Sequence, residues 1–182
     1  MITNVEIFGV EKTIVASGYP KVIDIKEATY SLDRAKKLSS CKHGTGHDNF
    51  LKGIIVQADI TAPLYWWPQF QRYNFVDIIS SQSKMHCLHK FKFDVMCNEY
   101  VDKRIIEIAK EHIANYNNNK TDMNFMLMTS NVPSGFKLAA RITTNCLQLK
   151  TIYLQRKNHK LIEWKTFCTW ICSLEIFKQL FF

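Results

Sequence analysis

Glycine and proline together supply only 10 of the 182 residues, where an average chain would hold roughly 12% of them. Both residues punctuate turns, so a chain poor in both turns seldom and favours helices. A β-sandwich, which turns about every 8–12 residues, is excluded on this ground. The length fits one domain spanning residues 1–182, since a core usually serves about 100–200 residues. Apolar residues make up 47% and charged residues 22%, which excludes a disordered or collagen-like chain.

The net charge of +8 is unevenly placed. Residues 135–182 hold 8 Lys or Arg and 2 acids, against 16 and 14 in the first 134. A basic C-terminal third suits phosphate-bearing partners, from a mononucleotide up to RNA, and would equally serve as a solubilising face. The chain carries no recognisable nucleic-acid motif, so a nucleotide is favoured over a polymer. No uncharged stretch of 18 apolar residues occurs and residues 1–6 have no basic leader or apolar signal core, so a cytoplasmic chain without membrane contact is expected. The six cysteines form no CxxC pair and read as reduced, mostly buried thiols.

Residues 5–16 are rich in Val, Ile and Phe and stop at Gly18-Tyr19-Pro20, which predicts one or two short strands. Ala28, Leu32, Ala35 and Leu38 recur at three- and four-residue steps and predict a helix over 24–38. Residues 53–61, β-branched and flanked by Gly53 and Pro63, form the clearest strand; the aromatic run 64–73 predicts a short or kinked helix. An amphipathic helix is expected over 101–116, with Ile105, Ile108, Ala109, His112, Ile113 and Tyr116 on its apolar face, then an asparagine-rich loop over 115–120. A helix over 122–129, a strand over 137–144, Asn145 as N-cap and helices over 146–156 and 161–180 complete the chain. The last helix is apolar on more than one face, so it belongs in the centre of the protomer or between subunits. The order predicts an α+β fold, dominated by helices, with a small mixed or antiparallel sheet.

Three stretches could carry chemistry. His43-Gly44-Thr45-Gly46-His47-Asp48 combines imidazoles with glycines that let backbone approach a ligand, and would otherwise be a helix terminus. It lacks the cysteine or acidic pair at ligand spacing that a metal needs. Gln69 to Asn74, including Arg72 and Tyr73, and then Ser80 to His86, including Ser81, Ser83 and Lys84, concentrate donors for an anion; a serine-rich turn is the plainer account. A serine nucleophile would need an oriented base, for which His86 and His89 are the nearby residues in sequence. Asn145 to His159 includes Arg156, whose charge also suits the end of a helix.

In this order the stretches resemble the flavin-dependent thymidylate synthases, the thymidylate synthase complementing fold, in a divergent form of the kind found in bacteriophage genomes. The resemblance covers roughly residues 42–177. The family's H-G-H-E-x-P-F-E-H-like stretch entering a strand that ends in A-P is matched by Gly44 to Lys52 entering Gly53 to Ala62-Pro63. Its R-H-R-x7-S signature falls on Arg72-Tyr73-Asn74, with the serine at Gln82 by direct count or at Ser83 with one insertion. The next family arginine is replaced at Lys84 or Met85. Asn145 and Arg156 fall on a family asparagine and a terminal arginine, whereas Leu147 stands where the family has another arginine.

The resemblance implies FAD as cofactor, a folate as carbon donor, and methyl or hydroxymethyl transfer to a deoxyuridine nucleotide such as dUMP. It implies a homotetramer with sites between subunits. By the same resemblance Arg72 and Ser83 are the catalytic candidates, Arg156, Gln69, Ser81 and Lys84 hold substrate, and His47, Asn145 and Tyr73 face the cofactor. The missing arginines keep a second reading open, a non-catalytic protein that sequesters or senses a nucleotide on the same fold.

Overall fold

The computed structural model describes residues 2–42 and 44–181; His43 of the glycine-rich stretch lies outside the described residues. In chain order the elements are β1 (Ile2–Phe8), α1 (Val10–Ala16), α2 (Leu32–Ser39), β2 (Ile55–Pro63), α3 (Trp67–Phe70), β3 (Val76–Ser81), α4 (Lys84–Cys87) and α5 (Phe93–Met96). There follow α6 (Lys103–Asn118), α7 (Asp122–Ser130), β4 (Lys137–Asn145), α8 (Cys146–Arg156), α9 (Ile162–Ser173) and α10 (Glu175–Phe181). The strands form one antiparallel sheet in the order β1-β2-β4-β3. Its two central strands alternate buried with half-buried residues, Val56, Ala58, Ile60 and Ala62 in β2 and Leu138, Ala140 and Ile142 in β4. This is the period-2 pattern of a sheet with one face on a core. The architecture is the expected helix-dominated α+β fold.

The chain packs as two compact units, each assembled from separate segments. The first comprises 60–72 and 78–141. Its core gathers Leu88, Phe93, Cys97, Ala109, Met128, Phe136 and Leu138 beneath the α6–α7 hairpin. The aromatic run is structural here: Trp66 stacks on Phe70 at 4.5 Å, and the Trp67 indole N–H donates to the Ala62 carbonyl at 3.1 Å. The second unit comprises 2–59, 73–77 and 142–182. Trp164, Phe167 and Ile171 of α9 and Ile176, Phe177 and Leu180 of α10 are buried in it.

Several boundaries differ from the sequence reading for identifiable reasons. Gly9, at φ 78°, ends β1 and turns the chain into α1, so Val10–Ala16 is a helix and not a second strand. Asp24 caps a single 3-10 turn over Ile25–Glu27 and Ser31 then caps α2, which divides the expected helix over 24–38. Residues 115–118 continue α6, because the Asn124 amide of α7 donates to the Asn119 and Asn115 carbonyls and so completes the helix end. The buried stripe of α6 is Ile106, Ala109, Ile113 and Tyr116, whereas Ile105 and Ile108 are exposed. Ser80 and Ser81 end strand β3, and Gln82 continues the pairing through its backbone and side chain to Ala139; they do not form a turn. Leu174, extended at ψ 128°, breaks the expected last helix into α9 and α10. That break lets α10 fold onto α2 and α9, and the surplus of apolar residues is buried within the protomer.

Candidate functional site

The glycine-rich stretch of the second unit begins where α2 ends. Gly44 and Gly46 take φ of 89° and 83°, backbone that side chains with a Cβ rarely adopt. Thr45 Oγ1 donates to the Lys42 carbonyl at 2.8 Å, and the Asn49 amide donates to the Gly46 carbonyl at 3.3 Å. The loop leaves His47 exposed and Asp48 buried. His47 lies on the wall of a cavity of about 730 Å³ together with Thr13, Ser17, Lys21, Arg34 and Asn49. Among the described residues no carboxylate lines this cavity, while Phe50, Leu38 and Pro20 give it an apolar side.

Arg34 is fixed in place. Its Nε donates to Ser17 Oγ at 3.2 Å, and its Nη2 donates to the Ile14 and Thr29 carbonyls at 3.1 and 2.7 Å. These bonds leave Nη1 as the donor for an incoming anion. A guanidinium held in this way loses little freedom when Nη1 meets a phosphate oxygen.

A second cluster in the same unit surrounds Arg156. Its Nε donates to Tyr73 Oη at 2.8 Å, and that hydroxyl donates in turn to Gln155 Oε1 at 3.1 Å. The guanidinium lies over Trp164 at 4.8 Å and Tyr73 at 5.7 Å. Trp164 is fully buried, so it forms a rigid platform. Asn145 caps α8 as expected: its Oδ1 accepts from the Gln148 amide at 2.9 Å, which leaves its Nδ2 protons for a ligand. Asn145 and Arg156 stand at opposite ends of this 11-residue helix, roughly 16 Å apart at 1.5 Å rise per residue.

Gln69, Arg72, Ser81, Ser83 and Lys84 belong to the first unit, whereas His47, Tyr73, Asn145 and Arg156 belong to the second. Arg72 is exposed, without a hydrogen bond or ion pair among the described residues. Gln69 is half-buried in α3, and Ser81 is exposed at the end of β3. Ser83 Oγ accepts from the His86 amide at 3.3 Å and caps the four-residue α4, whose first residue is Lys84. No imidazole of the described residues bonds Ser83, and His89 instead meets the Tyr116 ring edgewise at 5.7 Å. Gln82, the other candidate for the family serine, spends its side chain on Ala139.

Thr13, Ser17, Lys21 and Arg34 come from segments that carry no motif and lie outside the candidates named from sequence. Lys150 is, in sequence, one of several basic residues of the C-terminal third. In the structure Lys150 is buried and pairs with Asp48 at 2.6 Å. The signal for it was available: a lysine next to Leu149 and one turn from Cys146 and Leu147, on a helix rich in apolar residues, must find acceptors inside the protein. Among the described residues no cluster of His, Cys, Asp or Glu is placed to hold a metal ion, and no helix is long and apolar enough to cross a membrane.

This arrangement of sheet and helices is the fold of the flavin-dependent thymidylate synthases. The chain is similar in structure to the flavin-dependent thymidylate synthase ThyX of Helicobacter pylori, solved with FAD and dUMP, at a TM-score of 0.67 and 13% identity, with 98% of each chain covered. It is similar to the UMP/dUMP methylase PolB of Streptomyces cacaoi, solved with 5-Br dUMP, at a TM-score of 0.70 and 12% identity, covering 100% of this chain and 92% of that one. The sequence matches no protein-family model and no curated protein.

Proposed function

We propose that the chain binds FAD and a deoxyuridine nucleotide such as dUMP and transfers a methyl or hydroxymethyl group to the pyrimidine, with a folate as carbon donor. The observation that carries this reading is the cationic cavity beside the glycine loop. Arg34 Nη1, Lys21 and His47 offer positive charge or N–H donors to a diphosphate, and Thr13 and Ser17 offer hydroxyls. Phe50 and Leu38 suit an aromatic ring. The residues present therefore fit a flavin nucleotide. When bound, the flavin supplies hydride transfer that no side chain can perform.

The chain's own residues bind and orient. Arg156, clamped by Tyr73 and Trp164, holds a nucleotide phosphate. Asn145 Nδ2 would offer its protons to the flavin, and Tyr73 would act through the arginine it bonds. Arg72, Gln69, Ser81 and Lys84 take the remaining substrate oxygens, and the Ser83 hydroxyl donates to substrate rather than attacking it. In this reading the working unit is a homotetramer in which different protomers complete one site.

The test is titration of purified protein with FAD, followed by a nucleotide assay with reduced flavin and a folate donor. Yellow protein, quenched flavin fluorescence and a modified pyrimidine are expected; absence of flavin binding would refute the reading. One observation favours a nucleotide-sequestering protein instead: Leu147, at the family's arginine position, is buried and offers no charge. Binding of dUMP without flavin or turnover is the outcome that selects it.

A further inference from the structure

Lys150 occupies a position of α8 that the surrounding Cys146, Leu149 and Ile152, all fully buried, would suit to an apolar residue. An ammonium buried there is costly unless each of its protons finds an acceptor. All three do: Nζ donates to Asp48 Oδ2 at 2.6 Å, to the Ser39 carbonyl at 2.8 Å and to the Cys41 carbonyl at 3.0 Å. Ser39 is the last residue of α2, where carbonyls lack intrahelical partners and the helix dipole is negative. The acceptors flank the glycine loop, with Ser39 and Cys41 before it and Asp48 after it.

Between those fastenings lie two glycines at positive φ, which restrict the backbone little. An apolar pair in place of Lys150 and Asp48 together could stabilise the core as well as the ion pair does. What an apolar pair cannot do is tie both ends of the loop to α8. We propose that Lys150 is a positioning residue: its clasp on Ser39, Cys41 and Asp48 sets where the His47 imidazole stands on the wall of the 730 Å³ cavity, and so sets the affinity for the flavin nucleotide. This rests on the proposed function for the identity of the ligand.

The structure also offers a way to test it. A cavity of about 500 Å³ reaches Lys150 past Tyr153, Phe177 and Phe181, with the exposed Lys42 and Leu154 on its outer side. A small alkylammonium can therefore occupy the space vacated in Lys150→Ala. Amide exchange over 44–47 should quicken about tenfold in this variant and slow again with propylammonium, while amides of α9 keep their protection. FAD affinity should fall about tenfold and recover with the amine.

Unchanged loop exchange in Lys150→Ala overturns the proposal, as does recovery of thermal stability with the amine but not of FAD affinity. If the wild-type protein binds no FAD, the proposed function fails, and the exchange arm still decides whether the clasp orders the loop. Should Lys150→Ala not fold, Asp48→Asn takes its place: it keeps the two carbonyl bonds and should loosen only the His47 end of the loop. Equal exchange at both ends in that variant counts against the clasp.

Discussion

Two stretches that the sequence marks as chemical are built in opposite ways. Residues 39–48 in the second unit are fastened from inside, with three acceptors on one buried ammonium and a buried carboxylate beside an exposed imidazole. Residues 69–72 and 78–84 in the first unit expose most of their polar side chains, and Arg72 makes no bond among the described residues. The first stretch is already organised and gains little order on meeting a ligand. Side chains as exposed as those of the second would be ordered only on binding, which would cost part of the binding energy. The difference teaches that a motif's composition does not reveal how rigidly it is held; the inward-pointing residues do.

The largest effect that would break this contrast is at Lys150. Lys150→Met leaves the Asp48 carboxylate buried without its cation and should lower unfolding free energy by about 3–5 kcal/mol in urea titration. A loss below about 1 kcal/mol would mean that the loop is no better fastened than residues 69–84.

Alkaline stability sharpens the same contrast at the start of α8. Burial pushes the Cys146 thiol from 9.0 up to about 12. The unfolded chain therefore loses this proton first, so stability that is intact below pH 9.0 falls as pH rises towards about 12. The slope is about 1.4 kcal/mol per pH unit from this group. Comparing urea midpoints of the wild type and Cys146→Ala on either side of pH 9.0 isolates it; equal alkaline losses would show that Cys146 is not sealed. Burial likewise raises the Cys168 thiol, to about 11, with Cys172 beside it adding to the shift. At neutral pH both thiols should resist alkylation while the half-buried Cys41 and Cys87 react.

Asn145→Ala removes the cap of α8 and should cost about 1 kcal/mol, whereas Asn145→Asp keeps the acceptor for Gln148 and should cost less. The Asp variant would nonetheless lose the amide protons assigned to the flavin, so a fall in FAD affinity at nearly unchanged stability is expected. The smallest effect belongs to the open stretch. Arg72→Ala should change stability by less than about 0.5 kcal/mol while weakening dUMP binding in calorimetry. A large stability loss there would show that Arg72 is fastened into the protein as firmly as Lys150.

The fold was legible where local signals agreed with packing. Asn145 as N-cap, α8 over Cys146–Arg156 and the central strands followed from a capping residue, Gly and Pro flanks and β-branched runs. Strand β3 was not legible, because at the sheet edge only Val76 of its six residues is buried and its serines carry no alternating pattern. The division of 24–38 depended on Asp24 and Ser31 each capping a separate turn, which periodicity alone hides. Of the candidate site, His47, Asn145, Tyr73 and Arg156 were readable from motif order. Arg34 was not, since its partners Ser17 and Ile14 lie 17 and 20 positions away in sequence; Lys150 could be marked as a lysine that must be satisfied inside, but its partner Asp48, 102 positions away, could not. Contacts at such separations leave no local trace.

The central claim is that the glycine-loop cavity holds a flavin nucleotide, and FAD titration of the wild type beside His47→Ala tests it most directly. His47 is exposed and supports no core contact, so its loss should leave the thermal midpoint unchanged while weakening FAD binding about tenfold, a difference of about 1.4 kcal/mol. Failure of the wild type to bind FAD, or equal affinity in both proteins, would contradict the account.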